Sequence, residues 1–278
     1  MYVGCHISIR KGFLAAAQTA AAIGGNAFQY FPKNPRSLSI KEWDKADAEA
    51  CSNFCKANDI RSIAHTTYAT NLAVTGSLRE PTIQSVKNDL SIADSCGSIG
   101  LVVHFGKFKE KNPLIGYRNI ISALNEILAD YSGEALILLE NQAGESGKVG
   151  STLEELTQIR GLSDYPDKIG FCLDTCHIFA SGVWTLENGE ELKAKGKELG
   201  YFEHLKAVHL NDSKHPCGSL RDRHENIGKG YIGENGFQRL CIPSEVLREL
   251  PIVLETPVPE EYTHGQEIAY VRKLLGGE

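Results

Sequence analysis

The feature that most constrains this chain is a period. Short apolar, β-rich runs return about every 35 residues, and most of them stop on a residue that can bind a cation or move a proton. The runs cover residues 2–7, 27–30, 62–65, 101–104, 136–140, 170–174, 205–210 and 252–255. Counted between His6, Tyr30, His65, His104, Glu140, Asp174, His209 and Glu255, the gaps are 24, 35, 39, 36, 34, 35 and 46 residues. A strand, a loop, a helix and a second loop use about that much chain, and a helical crossover is what lets successive strands lie parallel. Eight such units predict an α/β fold, a (β/α)8 TIM barrel, as a single domain over residues 1–278 with its active site at the C-terminal mouth of the strands. A length of 278 residues suits one barrel and forces no division.

The stretches between the runs carry helix signals. Ser39-Ile40-Lys41-Glu42 reads as a capping box opening a helix toward Asn58, and Ser151-Thr152-Leu153-Glu154 reads the same way. Gly24-Gly25 stops an alanine-rich helix after the first run, and the Leu/Ile spacing across 119–131 is amphipathic. The longest insertion, 213–233 after the seventh run, is rich in Gly, Lys, Arg and Asp. On a barrel, such loops belong to the active face. No run of about 18 apolar residues occurs, so no membrane-spanning helix is expected. The start, Met1-Tyr2-Val3-Gly4-Cys5-His6, has no basic region leading into an apolar one, and a cytoplasmic protein is expected. The eight cysteines are then expected to be reduced core residues. Neither Cys51 with Cys55 nor Cys172 with Cys176 has the two-residue gap of a zinc knuckle.

Taken singly, a histidine at a strand end is more often a polar cap than a ligand, and a glutamate can simply pair with a basic neighbour. Six at one mouth are different. His65, His104, Glu140, Asp174, His209 and Glu255 project onto a single ring, and three imidazoles converging with three carboxylates are costly unless cations compensate them. Mixed nitrogen and oxygen donors suit zinc or manganese rather than magnesium or calcium. His177, three residues after Asp174, reaches the same mouth, and Asp222 and His224 share a face of an extended loop. Nine candidate ligands exceed the needs of one or two ions, and three sites with a bridging carboxylate fit better. Clustered metals serve phosphoryl chemistry by stabilising the attacking and leaving oxygens. The formal net charge of −6 argues against nucleic acid at first sight, but it omits bound divalent ions, three of which bring the total near neutral.

The most specific string, His209-Leu210-Asn211-Asp212-Ser213-Lys214 with Gly218-Ser219 and then Asp222-Arg223-His224-Glu225-Asn226-Ile227-Gly228-Lys229-Gly230, resembles a signature of the endonuclease IV family. Leu173-Asp174-Thr175-Cys176-His177 with Gly182 resembles a second signature, and Glu140-Asn141 with Ala143-Gly144 a third. The resemblance runs from His6 to Glu255, essentially the whole chain. It implies an endonuclease that repairs DNA by cutting the phosphodiester bond 5′ to abasic sites in duplex DNA, leaving 3′-OH and 5′-deoxyribose phosphate ends and also clearing 3′-blocking groups. It implies a monomer with three Zn2+ ions, Mn2+ able to substitute at some sites. His65 and His104 would hold the first ion, with Glu140 bridging to the second. Asp174, His209 and Glu255 would complete the second, and His177, Asp222 and His224 would hold the third. A hydroxide between the first two ions would attack the phosphate in line, with Glu255 and Glu140 as the catalytic carboxylates. Arg36 resembles the residue such enzymes insert through the minor groove, and Tyr68 their aromatic wedge.

The chain departs from the family pattern at His104-Phe105-Gly106-Lys107, at Glu145-Ser146 and at Val183-Trp184. These departures remove no ligand but alter loops expected at the mouth. Two other readings use the same residues. Glu140, Asp174, His209 and Glu255 also resemble the single-metal tetrad of sugar isomerases and epimerases on this barrel, and a lesion-binding protein without turnover would keep the fold.

Overall fold

The computed structural model describes residues 1–107, 112–145, 149–259 and 262–276. Its strands are β1 (Tyr2–His6), β2 (Ala27–Tyr30), β3 (Arg61–His65), β4 (Gly100–Val103), β5 (Leu136–Glu140), β6 (Ile169–Asp174), β7 (Leu205–His209), β8 (Asp212–Ser213), β9 (His224–Glu225) and β10 (Pro251–Leu254). Eight of them close into a parallel barrel in the order β1-β10-β7-β6-β5-β4-β3-β2, while β8 and β9 pair antiparallel at the base of the long loop. The helices are α1 (Phe13–Ala22), α2 (Lys45–Ala57), α3 (Arg79–Ser95), α4 (Pro113–Leu128), α5 (Leu153–Leu162), α6 (Thr175–Ala180), α7 (Gly189–Glu198), α8 (Tyr201–His204), α9 (Gly233–Gln238), α10 (Ser244–Glu249) and α11 (His264–Leu274). This is the expected (β/α)8 barrel.

Two buried layers follow from strand alternation. Ile63, Val102, Leu138, Cys172, Ala207 and Val253 form a separate apolar layer inside the barrel. Each stands two residues before His65, His104, Glu140, Asp174, His209 or Glu255. Side chains two apart on a strand project to the same side, so the six polar groups stand above one apolar plug at the C-terminal mouth. Gly4 fills the matching place on β1, where a Cβ would overlap the carbonyl of Ala27 on β2. The intervening residues point outward into the larger core under the helices, as Tyr30 does toward Ser98, with 2.9 Å between the hydroxyls.

The strand ends agree with the periodic reading to within a residue or two. His104 and Glu255 lie just beyond β4 and β10. The helix expected from Ser39 begins instead at Lys45, because Asp44 accepts the backbone N–H groups of Ala46 and Asp47. Lys41 is held elsewhere: its N–H donates to Asn88 Oδ1 and its Nζ to the Pro32 carbonyl. The second capping box is displaced by one residue, with Thr152 as the cap and Glu155 returning the bond. Seven cysteines are buried, Cys217 is exposed, and all eight are free. Among the described residues, no helix is long and apolar enough to cross a membrane.

Candidate metal centre

Glu140, at the end of β5, is fully buried. Its Oε2 lies 2.7 Å from His104 Nε2 and 3.5 Å from His65 Nε2, and its Oε1 lies 2.9 Å from His209 Nδ1. His209 Nδ1 is 3.3 Å from Glu255 Oε2 and 3.9 Å from Asp174 Oδ2. On the loop side, Asp222 stands between two imidazoles, 3.2 Å from His177 Nε2 and 3.1 Å from His224 Nε2. Donor atoms of His65, His104 and Glu140 lie within 4.8 Å of one another, as do those of Glu140, Asp174, His209 and Glu255, and those of Asp174, His177 and His224. A fourth group joins Asp222 and His224 with Cys176, so all nine residues singled out in the sequence meet in adjoining groups.

The donor set fits divalent cations. Glu140 Oε2, His177 Nε2 and His224 Nε2 are buried without a hydrogen-bond partner, although each has an oppositely charged atom close by. Nitrogens and oxygens thus face shared points rather than aligning as N–H···O pairs, and a buried polar atom left this way is costly. Charge gives the same answer. Burial would lower the His224 imidazole, but the neighbouring Asp222 and Asp174 carboxylates push it up to about 9. Burial would raise the Glu255 carboxyl, yet His209 and His224 pull it down to about 2. Against the same burial penalty, Asp174, Asp222 and Glu140 hold His177, and Cys172 with Glu255 and Glu140 holds His209, well above the ordinary imidazole range. The cluster demands positive charge, which protons or divalent cations supply in competition. Imidazole nitrogen and carboxylate oxygen are the donors zinc takes.

A set of buried polar residues aims these ligands. Asp174 caps α6 by accepting the His177 N–H at 2.7 Å, which places His177 on the first turn. Asn141 is bonded both ways to the Asp174 backbone at 2.8 and 3.0 Å, and its carbonyl lies 2.9 Å from His177 Nδ1. Asn211 donates to Asp174 Oδ2 at 2.7 Å and accepts from the Glu255 N–H at 2.8 Å. Glu267 of α11 holds the loop from outside through Asn226 Nδ2 and the Ile227 N–H. Asn141, Asn211 and Glu267 are not among the candidate site residues of the sequence. Asn141 and Asn211 are legible as the residues that follow Glu140 and precede Asp212 within motifs, whereas Glu267 carries no local signal.

The rim is a cavity of about 810 Å3 lined by Phe31, Tyr68, Lys107, Glu145, Arg223 and Glu255 among others. Tyr68 is 73% exposed, and its ring packs edge-on against Phe31. Its N–H donates to Pro35 O at 2.8 Å, which joins its loop to the loop bearing the exposed Arg36. The departures from the family pattern divide. Phe105 and Trp184 are fully buried and serve the core, a correction to their expected place at the mouth, whereas Lys107 and Glu145 do line the cavity. Ser146 lies outside the described residues.

A parallel barrel with clustered nitrogen and oxygen donors at its C-terminal mouth defines a metal-dependent barrel enzyme, and the Xylose isomerase-like TIM barrel family model matches residues 17–274. Within that class the chain belongs to the endonuclease IV family. It is 43% identical over 276 residues to the probable endonuclease 4 of Symbiobacterium thermophilum, covering 99% of this chain and 100% of that one. It is 36% identical to the Thermotoga maritima protein of the same description, covering 98% and 96%. The crystal structure of endonuclease IV from Thermus thermophilus superposes with a TM-score of 0.85 at 32% identity, covering 99% of both chains. A D-tagatose 3-epimerase-like protein shares the fold at a TM-score of 0.70 and 19% identity, over 99% of this chain and 97% of that one.

Proposed function

We propose that this protein is a DNA-repair endonuclease that hydrolyses the phosphodiester bond 5′ to abasic sites in duplex DNA and also clears 3′-blocked ends. Its centre would hold three zinc ions, with manganese able to replace zinc at some sites, and the whole chain would work as one monomeric, cytoplasmic domain. The observation that carries this reading is the merging of the donor groups through Glu140 and Asp174, each of which belongs to two of them. A single-metal epimerase needs only Glu140, Asp174, His209 and Glu255. The remaining His65, His104, His177, Asp222 and His224 are superfluous to it.

Zinc would supply Lewis acidity toward the phosphodiester and bring the pKa of water near neutrality. The protein's part is geometric. Glu140 turns one oxygen toward His65 and His104 and the other toward His209, which sets the distance between two neighbouring groups. Glu255 is the carboxylate of the buried tetrad that reaches the cavity, with its side chain 20% exposed, and it holds the attacking water in line. The cavity accepts an abasic sugar turned out of the helix. The Tyr68 ring takes the place of the missing base in the stack, and Arg36 reaches into the minor groove.

The test is a duplex with one tetrahydrofuran abasic analogue and zinc-loaded protein. Wild-type protein is expected to nick 5′ to the analogue and to carry about three zinc per chain. Glu255→Gln should still bind the duplex while incision falls by about 100-fold or more. Tight binding without a nick would mean a lesion-binding protein, and one metal per chain would mean the epimerase chemistry.

A further inference from the structure

Besides Asn141 and Asn211, a third amide at the metal centre is neither titratable nor a candidate ligand, yet touches two ligands at once. Gln29, on the inward side of β2, is completely buried. Its Oε1 lies 2.6 Å from His209 Nε2, and its Nε2 donates to Glu255 Oε1 at 2.7 Å and lies 3.4 Å from His6 Nδ1. The amide has one workable orientation. Reversed, it would set its oxygen against the Glu255 carboxylate. With its oxygen facing Nε2, His209 carries its proton there, which leaves the Nδ1 lone pair directed at Glu140 and the cluster. With its nitrogen facing Glu255, one carboxylate oxygen is engaged, and the other stays on the cluster side, 3.3 Å from both His209 Nδ1 and Asn211 Nδ2. A group needed only for packing would be aliphatic, because burying an amide costs free energy unless both its ends are bonded.

We propose that Gln29 is a positioning residue for the endonuclease reaction: its acceptor end fixes the tautomer of His209 and thereby metal retention, and its donor end fixes the setting of Glu255 and thereby turnover. The proposal rests on the reading of these residues as the endonuclease's metal centre.

Two variants separate the ends of the amide. Gln29→Met keeps the length and removes both polar ends. Its zinc should pass to a chromogenic chelator with an apparent affinity weaker by about 10- to 100-fold, the usual cost of losing a partner that orients a ligand. Gln29→Glu keeps an acceptor toward His209 but sets a carboxylate against Glu255. It should hold zinc within about threefold of wild type, while kcat on the tetrahydrofuran duplex falls by about 10-fold or more and KM stays within about twofold. A merely structural glutamine would not give this split, because loosening the fold moves zinc retention, kcat and KM together. Zinc held by Gln29→Met as tightly as by wild type, or wild-type kcat in Gln29→Glu, overturns the proposal. Should Gln29→Met fail to fold, the fall in kcat at constant KM in Gln29→Glu decides it. Wild-type protein that binds zinc but never nicks the duplex would instead overturn the endonuclease reading, and the chelator comparison would still judge Gln29.

Discussion

Asp212 lies where no solvent reaches and accepts backbone N–H groups from Ser213, Gly228, Gly230, Ile232 and Gly233 at 2.7–3.2 Å. Those amides are how the long loop after β7 turns back on itself, so one carboxylate holds the segment that carries Asp222 and His224. Gly230 passes so close that a Cβ there would stand 2.5 Å from Asp212 Oδ1. Asp212→Ala leaves these donors without their acceptor and should cost about 3 kcal/mol in urea unfolding, since bonds to a charged acceptor are the stronger kind and orphaned donors add their own penalty. Metal content should fall first at the group containing Asp222 and His224. A variant with wild-type urea midpoint and full metal content would show that the loop is held by something else. Asp212 is visible in its motif, but a sequence does not distinguish a carboxylate that gathers amides from one that gathers cations. Gln29 is more legible: it is the lone polar side chain in Ala27-Phe28-Gln29-Tyr30. The periodic reading misses it by setting the strand end at Tyr30, which faces the outer core.

At the scale of elements, the loop bearing Arg36 is tied to α3 by a buried ion pair. Lys33 Nζ lies 3.1 Å from Asp89 Oδ1 and donates to the Ser85 carbonyl at 2.9 Å, with both side chains almost wholly buried. Burial outweighs their attraction: it pushes the Asp89 carboxyl up to about 7 and lowers the Lys33 ammonium from its ordinary value. Asp89→Ala should therefore destabilise by about 3–5 kcal/mol at pH 8, because it abandons a buried charge, while Lys33→Met with Asp89→Leu should return to within about 1 kcal/mol of wild type. The sign with pH follows. Between about 4 and 7, folded Asp89 keeps a proton that the unfolded chain has released, so this pair's contribution to stability falls as pH rises through that window. The double variant should lose that slope, and an unchanged slope would count against the assignment. Tertiary ties of this kind also explain what the sequence withholds. The eight-fold period and the strand ends are legible because alternation and crossover length are local rules. The start of α2 is not, because it depends on Asn88 and Pro32 taking hold of Lys41.

The whole molecule pairs a common scaffold with an uncommon rim. The same barrel superposes on epimerase-like proteins at 19% identity, so the architecture does not choose the chemistry. The choice is made by which residues follow the inner apolar layer, and all nine candidate ligands can be picked out before the fold is known because six of them stand at strand ends. Glu140, Asp174, Asp222 and Glu255 converge at one mouth of a chain with formal net charge −6, so cations bound there are expected to stabilise the folded state. Anything that binds only the folded form stabilises it by mass action, about 4 kcal/mol at a thousandfold excess over Kd. For a chain of this size each kcal/mol moves Tm by about 2–4 °C. Protein stripped with EDTA should thus melt about 10 °C below the zinc-loaded form, keep its far-UV circular dichroism at 25 °C because the barrel layers lie beneath the site, and regain its Tm when zinc is restored. The shift should shrink as pH falls and protons take over the imidazoles. Equal melting temperatures with and without chelator would mean that the converging donors bind no cation of consequence, and the endonuclease reading would lose its foundation.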